Sequence, residues 1–310
     1  MSEFRSDVLD LSDLTDRKIL LRPSNLLSRI LQRLRWFFAS GTRLIALLLL
    51  AIGLPGVMLP SGLARSYTAI SPALVAVGLA VLLLDTANEL RAERERKAEW
   101  IVQMGSPDNA FAVEAARQLR ARGWLEDGSL RGARLLGANL QRADLVGADL
   151  QGASIWNANL EGAEFRGASL QGAFFTGSNL QGADFRNANL QEGSLQNANL
   201  QGANFEEANL HRVDLLEANL QGANLRHANL RVVRLWAANL QGADLSHADL
   251  HGALCLAPEQ LRQAGTLQGA TLPDGTKLPD DDTWRSAFEA WGETVEVDEI
   301  GHIVPAPPED

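Results

Sequence analysis

Hydrophobic positions follow three different rules along this chain. The first is a plain run. Leu44 to Leu63 is twenty residues without a charge, and Tyr67 to Leu84 is eighteen more. At about 1.5 Å per helical residue each covers ~27–30 Å, the thickness of a hydrocarbon layer, so the pattern predicts two membrane-spanning helices. Pro55 and Pro60 would bend or end the first of them. The second rule is helical spacing. Leu27, Ile30, Leu31, Leu34 and Phe38 fall on one side of Ser24 to Phe38, with Arg29 and Arg33 away from them. That segment reads equally as a helix in the headgroup layer or as a lead-in to the first span. Asp85 to Met104 is charged and free of Gly and Pro, which predicts a helical stalk continuing the second span. Ser106-Pro107-Asp108 then reads as a helix start, with Ser106 as N-cap and Pro107 in the first turn. The helix is expected to run to about Arg122 and stop at Gly123. Phe111, Ala112, Ala115, Ala116 and Leu119 would form its apolar stripe.

The third rule is a period of five. From Leu130 to Leu250 every fifth residue, at all twenty-five positions, is Leu, Ile or Phe. Two residues before each next one the chain carries Ala, with Ser178, Gly193, Val213 and Val233 as exceptions. A helix cannot hold such a stripe, because five residues rotate it by roughly 500°. Two-residue strand alternation fails as well. A short extended side that turns a corner every five residues fits. Strings such as Ala198-Asn-Leu-Gln-Gly202 and Ala143-Asp-Leu-Val-Gly147 resemble the pentapeptide-repeat family. The resemblance implies a β-solenoid: a right-handed quadrilateral β-helix of twenty-residue coils. The central Leu or Phe and the small residue two before it would point inward. Coils stacked at the strand spacing of ~4.8 Å would make a rod of about 30 Å.

Residues twenty apart then share a column. Asn139, Asn159, Asn179, Asn199, Asn219 and Asn239 predict an outward amide ladder, and Phe165, Phe185 and Phe205 an inward stack. One wall breaks the polar rule for outward positions. It carries Leu136, Trp156, Phe174, Leu216 and Trp236, flanked by Arg134 and Arg234. Apolar side chains on a rigid wall point to docking. Those five residues are the candidate partner-binding site. The occupant is open between a protein partner, lipid and the chain's own tail, where Trp284, Phe288 and Trp291 have helical spacing and could lie on Trp236 and Leu216. Ala257 to Gln263 reads as a short helix and Gln268 to Leu272 as one more side, followed by a Pro273-Asp274-Gly275-Thr276 turn. Residues 305–310 are expected to be disordered.

Composition narrows the function. The formal net charge is -10, but residues 1–100 carry thirteen Lys/Arg against ten Asp/Glu, while 271–310 carry two against eleven. No basic patch suits a nucleic acid, so that partner is not expected. The single cysteine, Cys255, permits no internal disulfide and suits a reducing compartment. Residues 1–18 are polar and do not resemble a secretory signal peptide. Lys18, Arg22, Arg29, Arg33, Arg35 and Arg43 precede the first span, and Arg91, Arg94, Arg96 and Lys97 follow the second; only Arg65 lies between. The positive flanks predict a multi-pass protein of the inner cell membrane with its N-terminus and repeats in the cytoplasm. There is no nucleotide loop, zinc spacing or nucleophile set, so neither an enzyme nor a cofactor is expected. His227, His247 and His251 could meet near one edge, leaving a metal open. The expected organisation is an arm and amphipathic helix (1–40), a transmembrane hairpin in contact with lipid (41–86), a stalk and solenoid cap (87–127), the repeats (128–256), and a C-terminal cap with an acidic tail (257–310). The expected function is a non-catalytic, membrane-anchored scaffold for an unidentified protein partner, with homo-oligomers possible. Two alternatives stand beside it. One is a DNA mimic that binds DNA gyrase, as some family members do; here ten basic and thirteen acidic groups are intermixed over 128–270. The other is the output rod of a membrane sensor.

Overall fold

The structure, a computed structural model, describes residues 64–299 and 302–304. The chain divides into two compact units, Met1–Glu93 and Arg94–Asp310. The amphipathic segment 24–38, the first expected span 44–63 and the last residues, 305–310, lie outside the described residues. Among the described residues there are four helices: α1 (Ala64–Met104), α2 (Asn109–Ala121), α3 (Pro258–Arg262) and α4 (Trp284–Gly292). The apolar run and the charged run after it are one helix, α1, with Pro72 inside it. It is the one helix among the described residues long and apolar enough to cross a membrane.

Between α2 and α3 the backbone winds as a four-sided solenoid. The amide of each central residue donates to the coil above, as Leu140 N to Asn159 O (2.7 Å), and the residue before it donates to the coil below, as Asn159 N to Ala138 O (2.9 Å). Each side contributes one parallel bridge between residues twenty apart, such as Asn139 with Asn159 and Ser154 with Phe174. No continuous strand forms among the described residues, because a five-residue side has too few extended residues before its corner. The corner is a turn in which the central carbonyl accepts from the amide three residues on, as Leu140 O from Ala143 N (3.0 Å). Its second corner residue has positive φ whatever its type: Gly147 at 68°, Asn157 at 54°, Val232 at 56°. Gly and Asn meet that demand readily; Val does not.

Alternating Leu and Ala fill the tube. The central residues from Leu130 to Leu250 and the Ala positions between them are buried. Phe165, Phe185 and Phe205 stack at 4.9 and 4.8 Å, the coil repeat itself. Ser178, the one inward hydroxyl, is satisfied from the coil below. It donates to Ile155 O (2.6 Å) and accepts from Ala158 N (3.1 Å), so it bridges a turn that elsewhere closes on itself. The amide ladder runs from Asn239 to Asn139 through links of 3.0–3.3 Å.

Two expectations about α2 are corrected. Its N-cap is Asp108 rather than Ser106; the Asp108 carboxylate accepts from Ala110 N (2.8 Å) and Phe111 N (3.4 Å), while Ser106 Oγ accepts from Asp108 N (3.1 Å). A carboxylate at the positive helix end satisfies two free amides and outcompetes the hydroxyl. Phe111 is 61% exposed and stands outside the buried row Ala112, Ala115, Ala116 and Leu119, about 100° around the helix from Ala112. Backbone continues from this segment into the coils: Asn139 N donates to Ser106 O and Asp149 N to Leu125 O, both 2.8 Å. At the other end Thr266 and Thr271 bridge to Asp244 and Asp249, twenty-two residues back, because α3 inserts two residues into the coil. Gln260 Nε2 donates to Leu235 O and Ala238 O, anchoring α3.

Candidate functional site

The twenty-residue coil brings the five candidate residues to one wall. Leu136, Trp156, Leu216 and Trp236 follow the central residues Leu135, Ile155, Leu215 and Leu235 and share one column. Phe174 belongs to the neighbouring column, one residue before Phe175. Leu136 (46%), Trp156 (45%), Phe174 (41%) and Trp236 (42%) are exposed, and Leu216 is half-buried. The Trp156 and Phe174 rings meet edge to face at 6.3 Å.

The apolar strip is not continuous. Thr176, Ser194 and Gln196 separate its two ends, with Thr176 and Ser194 hydroxyls 3.2 Å apart. A shallow groove of about 540 Å³ opens there, between Trp156 and Phe174 on one side and Asp214 and Arg234 on the other. Asp214 organises its polar part. It accepts from Gln196 Nε2 (2.6 Å), Arg234 Nη1 (3.0 Å) and Leu216 N (3.1 Å). At the adjacent corner Arg212 lies 3.6 Å from Glu192. The polar members Glu192, Gln196, Arg212 and Asp214 were not singled out from sequence, although their twenty-residue spacing places them in the same columns.

Helix α4 does not lie on Trp236, although the segment after it reaches the last coil of this wall, where Ile303 N donates to Leu256 O (2.8 Å) just past Leu254. Phe288 and Trp291 of α4 are buried at the C-terminal end, where Trp291 Nε1 donates to Asp274 (2.8 Å) and Arg262 Nε to Glu289 (3.3 Å). A buried indole N–H needs an acceptor. Asp274 supplies one, whereas Asp214 on the wall is already engaged by three donors. Trp236 therefore stays open among the described residues.

The histidines make a different arrangement from a metal site. His227 and His247 stack with ring centroids 4.7 Å apart, and His247 Nε2 lies 3.2 Å from Asp280 Oδ1. No group of three His, Cys, Asp or Glu side chains able to hold a metal occurs among the described residues. The wall opposite the candidate one is charged. Burial works against ionisation of Asp184, but the guanidinium of Arg186, bound to both its oxygens, and Arg166 nearby hold the carboxyl below its usual range.

Comparison with known proteins adds three kinds of finding. The family model described as pentapeptide repeats matches in eight copies, over residues 125–157, 143–182, 158–197, 194–231 and 218–254. No curated protein sequence matches. Among solved structures the chain is similar to the pentapeptide-repeat protein Rfr23 of the cyanobacterium Cyanothece 51142. The identity is 36% over 31% of this chain and 58% of that one, with a TM-score of 0.25. It is similar to HetL of Nostoc sp. strain PCC 7120, a protein involved in heterocyst differentiation regulation. There the identity is 31% over 47% of this chain and 81% of that one, with a TM-score of 0.24. QnrB1, a plasmid-mediated fluoroquinolone resistance protein, matches at 22% identity over 55% of this chain and 93% of that one, with a TM-score of 0.26.

Proposed function

The chain belongs to the pentapeptide-repeat family and its repeat segment is a right-handed β-helical solenoid; from that premise we propose that it is a non-catalytic interaction platform held at the cytoplasmic face of the inner cell membrane. One observation carries the reading. On a rod whose outward columns are amides, carboxylates and guanidiniums, a single wall exposes two Trp, a Phe and a Leu. Burying such side chains against a partner gains about 25 cal/mol per Å² of apolar surface, and a rigid wall loses little entropy on binding.

Membrane anchoring is supported by α1, whose apolar half leaves Val77, Leu79, Leu83 and Leu84 exposed. In this reading α1 is the second arm of a hairpin over residues 41–86, with the arm 1–40 before it, and the basic flanks keep both ends in the cytoplasm. Residues 87–127 supply a stalk and N-terminal cap, and 257–310 close the far end of the repeats 128–256. Caps are needed because an open coil exposes core and unpaired backbone. A DNA-mimicking role finds less support, since the carboxylates of the charged wall are neutralised by Arg166, Arg186 and Arg226.

The test is affinity capture from detergent-solubilised membranes with the full chain and with Trp156→Ala/Trp236→Ala. Both side chains are half out of the fold, so the double variant is expected to keep its thermal midpoint and to lose at least tenfold of the captured protein. Equal capture by both forms would sink the platform reading. Recovery of the chain in the soluble fraction after cell lysis would sink the anchoring.

A further inference from the structure

The candidate wall is self-complementary. Along its Trp column the coils present Leu136, Trp156, Thr176, Gln196, Leu216 and Trp236. Read in reverse against itself, each Trp meets a Leu, and Thr176 meets Gln196. The corner column beside it behaves the same way. Gly132, Gly152 and Gly172, without side chains, would face Val232, Arg212 and Glu192. At the opposite corner Gly137 meets Ala237, Gly177 meets Asn197, and Asn157 meets Glu217, an amide against a carboxylate. In the fourth column Ser154 meets Asp214 and Phe174 meets Ser194. Arg134 meets Arg234, beside the Asp214 carboxylate that Arg234 already holds at 3.0 Å.

We infer that the occupant of this wall is a second copy of the chain, packed antiparallel about a two-fold axis between the coils of Thr176 and Gln196. A two-fold contact must be self-complementary, because residue i meets j wherever j meets i. Three columns satisfy that requirement in one register, and the fourth does so except where Arg134 meets Arg234. The glycine-only half of one corner leaves room for the bulky half of its mate. The groove then lies near the axis, where Thr176, Ser194 and Gln196 can bond across it. One wall of a six-coil rod is narrower than the ~800 Å² per partner of a stable soluble interface, so the pair is weak in dilute solution and forms where local concentration is high. This inference deepens the interaction-wall reading and rests on it.

Disulfide trapping tests the register. Full-length chains carrying Asn157→Cys or Glu217→Cys, each with Cys255→Ser and a different tag, are reconstituted together in phosphatidylethanolamine–phosphatidylglycerol vesicles and oxidised mildly. Antiparallel pairing is expected to link the Asn157→Cys chain to the Glu217→Cys chain. Neither should link to itself, because identical sites lie three coils, roughly 14 Å, apart, beyond the ~7 Å reach of a disulfide. Adding Trp236→Ala, with the melting curve of the chain unchanged, should cut the cross-link at least fivefold. Links between two Asn157→Cys chains, a yield indifferent to Trp236→Ala, or no link together with a monomeric full-length chain by single-molecule photobleaching would each overturn the inference. If the chain is monomeric while Trp156→Ala/Trp236→Ala still loses a captured protein, the platform stands and the second copy is not its partner.

Discussion

At the scale of single residues, the rod is governed by corners and by the small inward position. Val232 holds a left-handed backbone, φ 56°, at a corner where Gly or Asn is at ease. Val232→Gly is therefore expected to stabilise the chain by roughly 0.5–1 kcal/mol, the relief of strain exceeding the entropy lost by glycine. Chemical denaturation of the two forms measures it, and Gly222→Val should move the midpoint the other way. Ser178 makes a finer prediction. Its hydroxyl both donates to Ile155 O and accepts from Ala158 N. Ser178→Ala lets that turn close on itself as its neighbours do and should cost under ~1 kcal/mol. Ser178→Val is larger and can bond neither backbone group, and should cost about 2–3 kcal/mol. Equal losses for the two would show that the bridge does not matter. Ser178 was visible in the sequence only as an exception to Ala; the partner of its hydroxyl was not, because it lies in the neighbouring coil.

At the scale of elements, α2 depends on Asp108. The carboxylate satisfies two amides of the first turn, so Asp108→Ala should cost ~1 kcal/mol and raise amide exchange in the first turn before it touches the coils. Exchange rising instead throughout the repeats would mean that α2 and the first coil open as one unit. The helix was legible from Ser106-Pro107-Asp108 and Gly123, but which of three adjacent residues caps it was not. Ser106 and Asp108 are both good caps, and the choice depends on where the chain leaves α1. The same limit explains α4. Its Trp284, Phe288, Trp291 spacing was readable, whereas its seat was decided by Asp274, an acceptor seventeen residues away from Trp291 in the chain.

At the scale of the whole molecule, stability is a sum of like contacts between neighbouring coils, so a charge buried in one coil weakens the rest. The carboxyls of Asp184 and Asp127 sit below the usual range. Desolvation opposes this in both, and is outweighed by Arg186 at Asp184 and by Lys97 and Ser129 at Asp127. A depressed carboxyl contributes in full above its unfolded value of ~3.9 and loses the contribution as pH falls through the lower folded value. The melting midpoint should thus hold from pH 7 to about 4.5 and fall below about 4. Asp184→Asn should lower the plateau and flatten the fall, a difference that thermal melts across pH 3–7 would resolve.

The five-residue period determined the inward Leu and Ala, and the family resemblance, which implies four sides to a coil, added the solenoid, the Phe stack, the Asn ladder and the membership of every column. This is possible because each coil contacts only its neighbours, so sequence distance translates directly into height along the rod. Periodicity carries no such rule for groups whose partners lie outside the repeat. Tertiary structure decided that the apolar wall is split by Thr176, Ser194 and Gln196 around a groove, that Asp214 is saturated by three donors, and that α4 packs at the end of the rod and leaves Trp236 open. Each of those outcomes depends on which donor reaches which acceptor in three dimensions, and side-chain reach is not periodic.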